Sequence, residues 1–346
     1  MNKQVIDLRS DTVTLPSSKM LEAIKTIELG DDVFSEDPTV NRLQEKTANL
    51  MGKEDAILVP SGTMGNLASI LTHCARGDEI ILGDQSPSFL YEAGGISAFG
   101  GIHSRQLKNH PDGTINLDDI KNSIREENVH FPPTTLICLE STHNRCFGAP
   151  LSIEYMNQVS EIAKNNNCKI HLDGARIFNA AVALDVEVQH LVSCVDSITF
   201  CLSKGLSSPV GSIICGDHDF IKRVRHIRKA LGGGMRQAGI IAGFGEIALD
   251  QMIEQIKEDH EMASKLSKGL SSIDGININL DQVYSNIIYF NLDKSKSNLS
   301  DQLVTLMGKK GILFFEVSPN RYRLVTHYGI NSNDIENVLT IFNEII

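Results

Sequence analysis

The chain has 346 residues, of which 41% are hydrophobic and 22% are charged, a composition typical of an ordinary globular protein. This length is sufficient for one large domain and a second, smaller one. The formal net charge is −11, and Lys and Arg never cluster enough to change what that charge implies. These charges argue against nucleic acid or an anionic membrane surface as the main partner.

Seven cysteines are scattered along the chain, and no two of them have the Cys-x-x-Cys spacing. An odd number without that spacing indicates neither a disulfide framework nor a metal site. Residues 1–7 lack the apolar segment of a signal peptide, and no apolar run reaches the roughly 18 residues of a membrane span. Together these features predict a cytoplasmic protein without a bound metal.

Short apolar runs alternate with helical segments through the first two thirds of the chain. The runs lack strict two-residue alternation, as expected of strands that are covered on both faces. They span residues 56–60, 79–82, 134–139, 169–172, 197–201 and 211–215. Segments such as 66–74 and 153–166 carry Leu, Ile, Ala and Val at helical spacing. This alternation predicts an α/β fold with a mostly parallel sheet and helices on both sides.

The pattern changes after about residue 235. One long helix is predicted from Arg236 to about Lys268. A strand, a helix, a strand and a final helix then follow at residues 285–292, 299–310, 321–326 and 334–346. We therefore expect a large domain over residues 1–250 and a smaller C-terminal α+β domain over residues 251–346.

A turn rich in glycine and hydroxyl residues, from Ser61 to Asn66, joins the first strand to a helix. A helix N-terminus offers unpaired N–H groups and a positive dipole, which suit a phosphate. Gly62 would allow close backbone approach, and Ser61 and Thr63 would add hydroxyl donors. Taken alone, the same residues are equally typical of a capped helix start with Thr63 as the N-cap.

Two further candidate residues, Asp173 and Lys204, each follow a predicted buried strand and lie 31 residues apart. Ligands of α/β sheets bind at the carboxyl ends of strands, so both side chains are expected to face one crevice. A carboxylate and an amine in one pocket suit pyridoxal phosphate: Asp173 would keep the pyridine nitrogen protonated and Lys204 would form an imine with the aldehyde carbon. Ser203 would add a phosphate donor. Taken one at a time, Asp173 could be a strand-end residue that caps a turn, and Lys204 could be a surface lysine.

An amino-acid substrate also requires a group that binds its carboxylate, and arginine does so through two hydrogen bonds. Arg323 lies on a predicted strand of the smaller domain and could face the crevice. Arg176 follows Asp173 by one tight turn. A surface salt bridge is the alternative interpretation for each arginine.

Several motifs make the chain resemble the low-specificity L-threonine aldolases, which are fold-type I pyridoxal-phosphate enzymes of the aspartate aminotransferase superfamily. The similarity follows the same order over nearly the whole chain. The matching segments are residues 7–14, 30–33, 36–39, 60–66, 129–132, 140–144, 171–179, 201–212, 231–239 and 323–327.

The resemblance implies a role for each matching residue. Lys204 is expected to bind the cofactor covalently, and Asp173, assisted by Arg176, to pair with its ring nitrogen. Gly62, Thr63 and Ser203 are expected to hold the phosphate, and Arg236 to reach the phosphate in a neighbouring subunit.

The resemblance also assigns the substrate side of the site. Ser10, Arg176 and Arg323 would bind the substrate carboxylate, and His130 would lie near the substrate hydroxyl. Residues 1–15 would form an N-terminal segment near the active site. The family further implies a homotetramer, a dimer of dimers whose active sites are shared across an interface.

Two positions depart from the family pattern. Pro87 stands where the family has a histidine whose ring stacks on the cofactor and is a proposed proton-transfer group. A proline can cover the cofactor ring but cannot accept a proton. Phe34 replaces a tyrosine that the family usually has, which removes a hydroxyl. General-base catalysis typically contributes about 10²–10⁴-fold, so losing it without compensation by His130 or a water would impair threonine cleavage.

Three hypotheses follow. The first is an aldolase that cleaves threonine, allo-threonine or related β-hydroxy-α-amino acids to glycine and an aldehyde. The second, motivated by Pro87 and Phe34, is a transaldolase or another lyase or transferase that acts at the α or β carbon of an amino acid. The third is a relative without catalysis that serves as a binding protein, against which the Asp173 and Lys204 pair argues.

Overall fold

A seven-stranded sheet forms the centre of the computed structural model, which describes residues 5–346. Its strands are β2 (Asp55–Val59), β3 (Glu79–Gly83), β4 (His103–Leu107), β5 (Thr134–Glu140), β6 (Lys169–Asp173), β7 (Ser197–Cys201) and β8 (Ser212–Gly216). The strand order is β2-β8-β7-β6-β5-β3-β4. The pairs from β7 to β4 are parallel, whereas β8 is antiparallel to both of its neighbours. The predicted mostly parallel sheet is confirmed.

The sequence did not predict strand β4. This strand lies at the sheet edge beside β3, and its residues His-Ser-Arg-Gln-Leu are half-buried or exposed. A polar edge strand gives no apolar run, so it lacked the signal by which the other six strands were found.

Thirteen α-helices occur among the described residues. They are α1 (Ser18–Ala23), α2 (Pro38–Met51), α3 (Gly62–His73), α4 (Pro87–Leu90), α5 (Leu117–Ser123), α6 (Ile153–Asn165), α7 (Ile177–Leu184), α8 (Val188–Leu191), α9 (His218–Ala230), α10 (Gly239–Ile247), α11 (Ile253–Ser271), α12 (Leu303–Lys309) and α13 (Ser332–Ile345). Short 3-10 turns lie at Asp11–Val13, Asp32–Phe34, Leu280–Gln282 and Lys294–Leu299, and π-helical turns at Ile96–Gly100 and Ala248–Met252. None of these helices is both long and apolar enough to cross a bilayer.

The prediction of a single long helix from Arg236 to about Lys268 differs from the structure in two ways. The helix starts later, at Gly239, and the π-helical turn at Ala248–Met252 separates α10 from α11. A π-helical turn adds a residue to the helix and rotates the following apolar face. As a result α10 packs on α2, whereas α11 packs on α13 and α7.

A second sheet is formed by β9 (Ile276–Asn277), β10 (Ile287–Leu292), β12 (Phe315–Ser318) and β13 (Arg321–Val325), all antiparallel in the order β12-β13-β10-β9. The N-terminal strand β1 (Ile6–Asp7) pairs in parallel with β11 (Ile312–Leu313) beside it. The chain then runs past the carboxyl edge of the large sheet. Residues 1–15 were expected to form a segment near the active site. Residues 1–4 lie outside the described part of the chain, so this expectation is examined from residue 5 onward.

Two apolar clusters form the main core. The cluster around the large sheet extends along the chain to Ile256, and the cluster under the second sheet includes Ile6 and Leu8 and resumes at Ala263. The change between clusters therefore occurs within α11. The division of the chain at residue 250 stays a prediction.

Candidate active site

A cleft of about 310 Å³ lies at the carboxyl edge of the large sheet. It receives side chains from the ends of β5, β6 and β7, the start of α3, the α4 loop, the N-terminal segment and β13. Its lining residues are Ser10, Thr12, Gly62, Thr63, Asn66, Pro87, Tyr91, Glu92, Glu140, Asn144, Asp173, Ala175, Arg176, Cys201, Ser203, Lys204 and Arg323. Nine predicted site residues are among them.

The start of α3 forms one wall of the cleft. Ser61 is the N-cap, and its Oγ accepts a hydrogen bond of 3.2 Å from the Met64 N–H. The alternative with Thr63 as the N-cap is therefore wrong, and Thr63 is free to line the cleft. Ser61 itself is not among the lining residues. A Cβ atom on Gly62 would lie 2.9 Å from Sγ of Cys201, so only glycine fits at the point where the helix end meets β7.

Asp173 ends β6 and is buried. Its Oδ1 accepts a 3.0 Å hydrogen bond from the Ala175 N–H, and its Oδ2 accepts one of 2.9 Å from Nδ2 of Asn66. Both donors are neutral, and no ion pair of Asp173 occurs among the described residues. A buried carboxylate without a cation favours a positively charged ligand atom beside it.

Lys204 follows β7 by three residues and lies half-buried in the cleft. Within the part of the chain that the structure describes, its amine makes no hydrogen bond or ion pair. Strands β6 and β7 are parallel neighbours, with Asp173 opposite Thr199. The predicted convergence of Asp173 and Lys204 at one sheet edge is therefore what the fold produces.

Arg176 forms a buried, two-bond ion pair with Asp11. Its Nε lies 2.6 Å from Oδ2, and its Nη2 lies 2.7 Å from Oδ1. Burial alone would raise the pKa of Asp11, but the Arg176 charge and hydrogen bonds outweigh it and lower that pKa to about 2. Two of the Arg176 nitrogens are therefore already engaged, which leaves Nη1 as the main group for a ligand. Ser10 precedes Asp11 and lines the cleft next to this pair.

Arg323 reaches the cleft from β13 of the second sheet. Its Nη1 donates to Oδ1 of Asn144 and its Nη2 to the Arg9 carbonyl, both at 2.9 Å. Its buried Nε has no hydrogen-bond partner in the structure. The guanidinium is thus held in place with N–H groups to spare, as a carboxylate-binding arginine requires.

The loop after β3 covers another side of the cleft. Pro87 is the first residue of the short helix α4 and lines the cleft, as do Tyr91 and Glu92. Burial, followed by the charge of Asp173, raises the pKa of Glu92 to about 8. The Pro87 ring thus faces the cleft, and its place in the family pattern stays a prediction.

Arg236, Phe34 and His130 are not brought into the cleft of their own chain. The Arg236 side chain is 55% exposed, pairs with Asp31 at 3.0 Å, and lies over the Phe34 ring. His130 is exposed and precedes β5 by four residues, at the amino edge of the sheet. The roles assigned to these residues by resemblance stay predictions.

Sequence reasoning missed several residues of the cleft as site residues. They are Thr12, Asn66, Tyr91, Glu92, Glu140, Asn144, Ala175 and Cys201. Glu140 could have been found, because it ends β5 directly beside Asp173 on β6. Burial, and then the Asp173 charge, raises the pKa of Glu140 well above its usual range. Asn66 lies one turn after Gly62 on the same helix, which was also a usable signal.

The residues of the cleft fit pyridoxal phosphate. Gly62, Thr63 and Ser203 offer donors for a phosphate beside a helix N-terminus that is tight enough to exclude a Cβ atom. Asp173 offers a buried negative charge for a protonated ring nitrogen, and Lys204 offers an unpaired amine for an aldehyde. These groups come from the start of α3 and from the ends of β6 and β7, which lie at the same sheet edge.

Comparisons with known proteins agree with this site. Residues 7–293 match the family model described as beta-eliminating lyase. Low-specificity L-threonine aldolase 1 of Arabidopsis thaliana is 44% identical over 342 residues, which cover 98% of this chain and 96% of the relative. The chain belongs to the low-specificity L-threonine aldolase family.

Two further relatives support this assignment. The low specificity L-threonine aldolase of Escherichia coli K12 is 46% identical over 77% of this chain and 79% of the relative. The structure of a threonine aldolase from Leishmania major superposes with a TM-score of 0.83 over 98% of this chain and 99% of that one, at 18% identity. The family and the fold-type I architecture expected from the motifs are both confirmed.

Proposed function

We propose that this chain is a pyridoxal-phosphate-dependent aldolase. It would cleave L-threonine, L-allo-threonine or a related β-hydroxy-α-amino acid to glycine and an aldehyde. The observation that carries the proposal is the meeting of Asp173, Lys204 and Arg323 in one cleft, where each has charge or hydrogen-bonding capacity that no partner among the described residues uses.

Each of these residues has a defined task in this reaction. The bound cofactor supplies a conjugated ring that accepts the electron pair left on Cα when the Cα–Cβ bond breaks. Lys204 would hold the cofactor and Asp173 would keep its ring nitrogen protonated. Arg323, with Ser10 and Nη1 of Arg176, would bind the substrate carboxylate and so orient the bonds at Cα. The amine of Lys204 would also carry a proton to Cα.

Pro87 offers no basic atom that could remove the β-hydroxyl proton. Pro87 therefore supports a second candidate, a transaldolase or another lyase or transferase that acts at the α or β carbon. The aldolase is preferred because the chain belongs to a family of that activity over nearly its full length.

The deciding experiment measures aldehyde release by the purified protein loaded with pyridoxal phosphate. The substrates are threonine, allo-threonine, phenylserine and β-hydroxyaspartate, and Lys204→Ala is the control. Release that is abolished in the control supports the aldolase. If none of the four substrates releases an aldehyde while the cofactor is bound to Lys204, the result would contradict the aldolase and favour the second candidate.

We further propose that the active protein is a homo-oligomer, a tetramer built as a dimer of dimers, in which Arg236 serves a neighbouring copy's phosphate. The exposure of Arg236 and of Phe34 outside their own cleft supports this proposal. The presence of His130 at the other sheet edge means that, if it acts, it also acts on another copy. All seven cysteines are unpaired, which supports the cytoplasm as the compartment.

Subunit complementation tests the shared site. The Lys204→Ala protein and the Arg236→Ala protein are each expected to have low activity when assembled alone. When the two are mixed at random, about a quarter of the sites combine an intact Lys204 with an intact Arg236 from the neighbouring copy. Recovery toward a quarter of wild-type activity supports sharing. No recovery, in assemblies shown by mass to be mixed, would place Arg236 in its own chain's site.

A further inference from the structure

Behind Asp173, a row of buried and half-buried polar side chains runs away from the cleft between α3 and the sheet. Its members are Asn66 and His73 on α3, His171 on β6 and Ser197 on β7. Asn66 and His73 are seven residues apart and share one helix face, and His171 and Asp173 are two apart and share one strand face. The fold therefore aligns these groups in one layer.

The orientation of the Asn66 amide is fixed by its partners. Its Nδ2 lies 2.9 Å from Oδ2 of Asp173 and 2.9 Å from Oε1 of Glu92, so both amide hydrogens point at carboxyl groups. Its Oδ1 therefore points the other way, 3.2 Å from Nε2 of His171. Because that oxygen can only accept, Nε2 of His171 must carry a hydrogen.

The remaining hydrogen bonds follow in one direction. Burial lowers the pKa of His171 to about 3, so the ring is neutral and its Nδ1 can only accept. Nδ1 lies 2.9 Å from Oγ of Ser197, which therefore donates to it. Oγ of Ser197 then accepts from Nε2 of His73 at 2.7 Å, where burial lowers the pKa of His73 to about 4.

We propose that His73, Ser197, His171 and Asn66 form a one-directional hydrogen-bond relay that positions the carboxylate of Asp173 for the cofactor's ring nitrogen. Each residue of the row donates a hydrogen bond toward Asp173, and the second amide hydrogen of Asn66 goes to Glu92. The four residues are positioning residues, since none but Asn66 reaches the cleft. The inference rests on the proposed function only in requiring that pyridoxal phosphate binds at Asp173.

Glu92 sharpens this assignment because it competes for the same amide. Asp173 accepts hydrogen bonds from the Ala175 N–H and the Asn66 amide, whereas Glu92 is hydrogen-bonded to the Asn66 amide and the Ser88 side chain. With its raised pKa, Glu92 holds a proton at neutral pH. Glu92 therefore accepts from Asn66 as a neutral carboxyl group and adds no negative charge beside Asp173.

The test uses two pairs of variants in the full-length protein, and it measures the pyridoxal phosphate dissociation constant and the visible absorption of the lysine-bound cofactor without substrate. His171→Leu removes the donor to Asn66, whereas His171→Gln keeps an N–H near the position of Nε2. Ser197→Ala is matched by Ser69→Ala, which removes an equally buried hydroxyl on α3 that bonds within its own helix, to Gly65.

We expect His171→Leu to weaken cofactor binding about fivefold to tenfold and to change the absorption spectrum, since one hydrogen bond in the row is lost and its partner is left unpaired. His171→Gln should restore most of both properties. Ser197→Ala should show a smaller change of the same kind, and Ser69→Ala none. Thermal unfolding of each apo variant separates a loss of folding from a loss of positioning.

Two results would overturn the relay. In the first, folded His171→Leu binds the cofactor with wild-type affinity and spectrum while Asp173→Asn does not. In the second, Ser69→Ala changes both readouts as much as Ser197→Ala does. If Asp173→Asn itself leaves affinity and spectrum unchanged, the cofactor site of the proposed function is overturned, which is a distinguishable failure.

Discussion

Two buried carboxylates at opposite edges of the large sheet show how the molecule separates structure from function. Glu79, at the amino end of β3, has Arg125 at 3.1 Å, His103 at 2.8 Å and Arg105 at 3.8 Å. Asp173, at the carboxyl end of β6, has only neutral donors. One carboxylate is neutralised by its own chain, and the other is left for a ligand to neutralise.

The same contrast extends beyond these two groups. At the amino edge the charges are matched among themselves, whereas at the carboxyl edge Lys204 makes no ion pair among the described residues and Arg323 keeps an unused buried Nε. Leaving charge unmatched weakens a fold. We infer that the unmatched charges at the carboxyl edge bind a ligand and lower the stability of the protein without it. The following substitutions test that inference.

Replacing Asp173 by Asn should have the largest effect. Breaking a buried ion pair by removing one partner costs about 3–5 kcal/mol, so kcat/KM for aldehyde release should fall about 10²–10³-fold. The apo protein should not lose stability, because no cation among residues 5–346 pairs with Asp173. Steady-state kinetics and chemical unfolding of the apo protein measure the two effects, and a large loss of apo stability would contradict the comparison.

Replacing Arg323 by Ala should come next. Hydrogen bonds between charged groups contribute about 1.5–3 kcal/mol each, so kcat/KM should fall well over tenfold. Arg323→Lys, which keeps the charge but loses the forked geometry, should recover only part of the loss. Undiminished turnover in Arg323→Ala would refute the carboxylate-binding role.

Replacing Glu79 by Gln should give the opposite outcome, a cost to folding with little change in cofactor affinity. The expected loss in the free energy of unfolding is about 1–3 kcal/mol at neutral pH, since the cations around Glu79 are partly exposed. Burial opposes the shift, but Arg125 and His103 lower the pKa of Glu79 below its usual value. The wild-type advantage should therefore be present above about pH 4.5 and disappear as the pH falls through that lowered pKa. A constant difference across this range would contradict the assignment.

Replacing Glu92 by Gln should give the smallest effect, visible only as a pH dependence. The pKa of Glu92 is raised to about 8, so wild-type apo protein loses stability as the pH rises from about 4.5 to 8. The groups that face Glu92 are Asp173, Lys204, Asn66 and Ser88. Relative to wild type, Glu92→Gln should therefore gain unfolding free energy over that interval. Parallel stability curves would show that Glu92 ionises normally.

The sequence by itself determined the parts of the site that depend on local order. Asp173, Lys204 and Gly62 each stand at the end of a recognisable apolar strand or the start of a helix, and parallel strands bring such ends to one edge. For the same reason the mostly parallel sheet followed from the alternation of elements. The family motifs then gave these positions their chemical roles.

The tertiary structure alone decided which of these groups are already engaged and which remain free. Arg176 is tied to Asp11, 165 residues away, and Arg323 reaches the cleft by bonding to the Arg9 carbonyl, 314 residues away. The row behind Asp173 joins helix α3 to strands β6 and β7, so no short segment contains it. Local sequence fixes where strands and helices end, but long-range packing fixes which polar atoms have partners, and those partners determine the chemistry of the site.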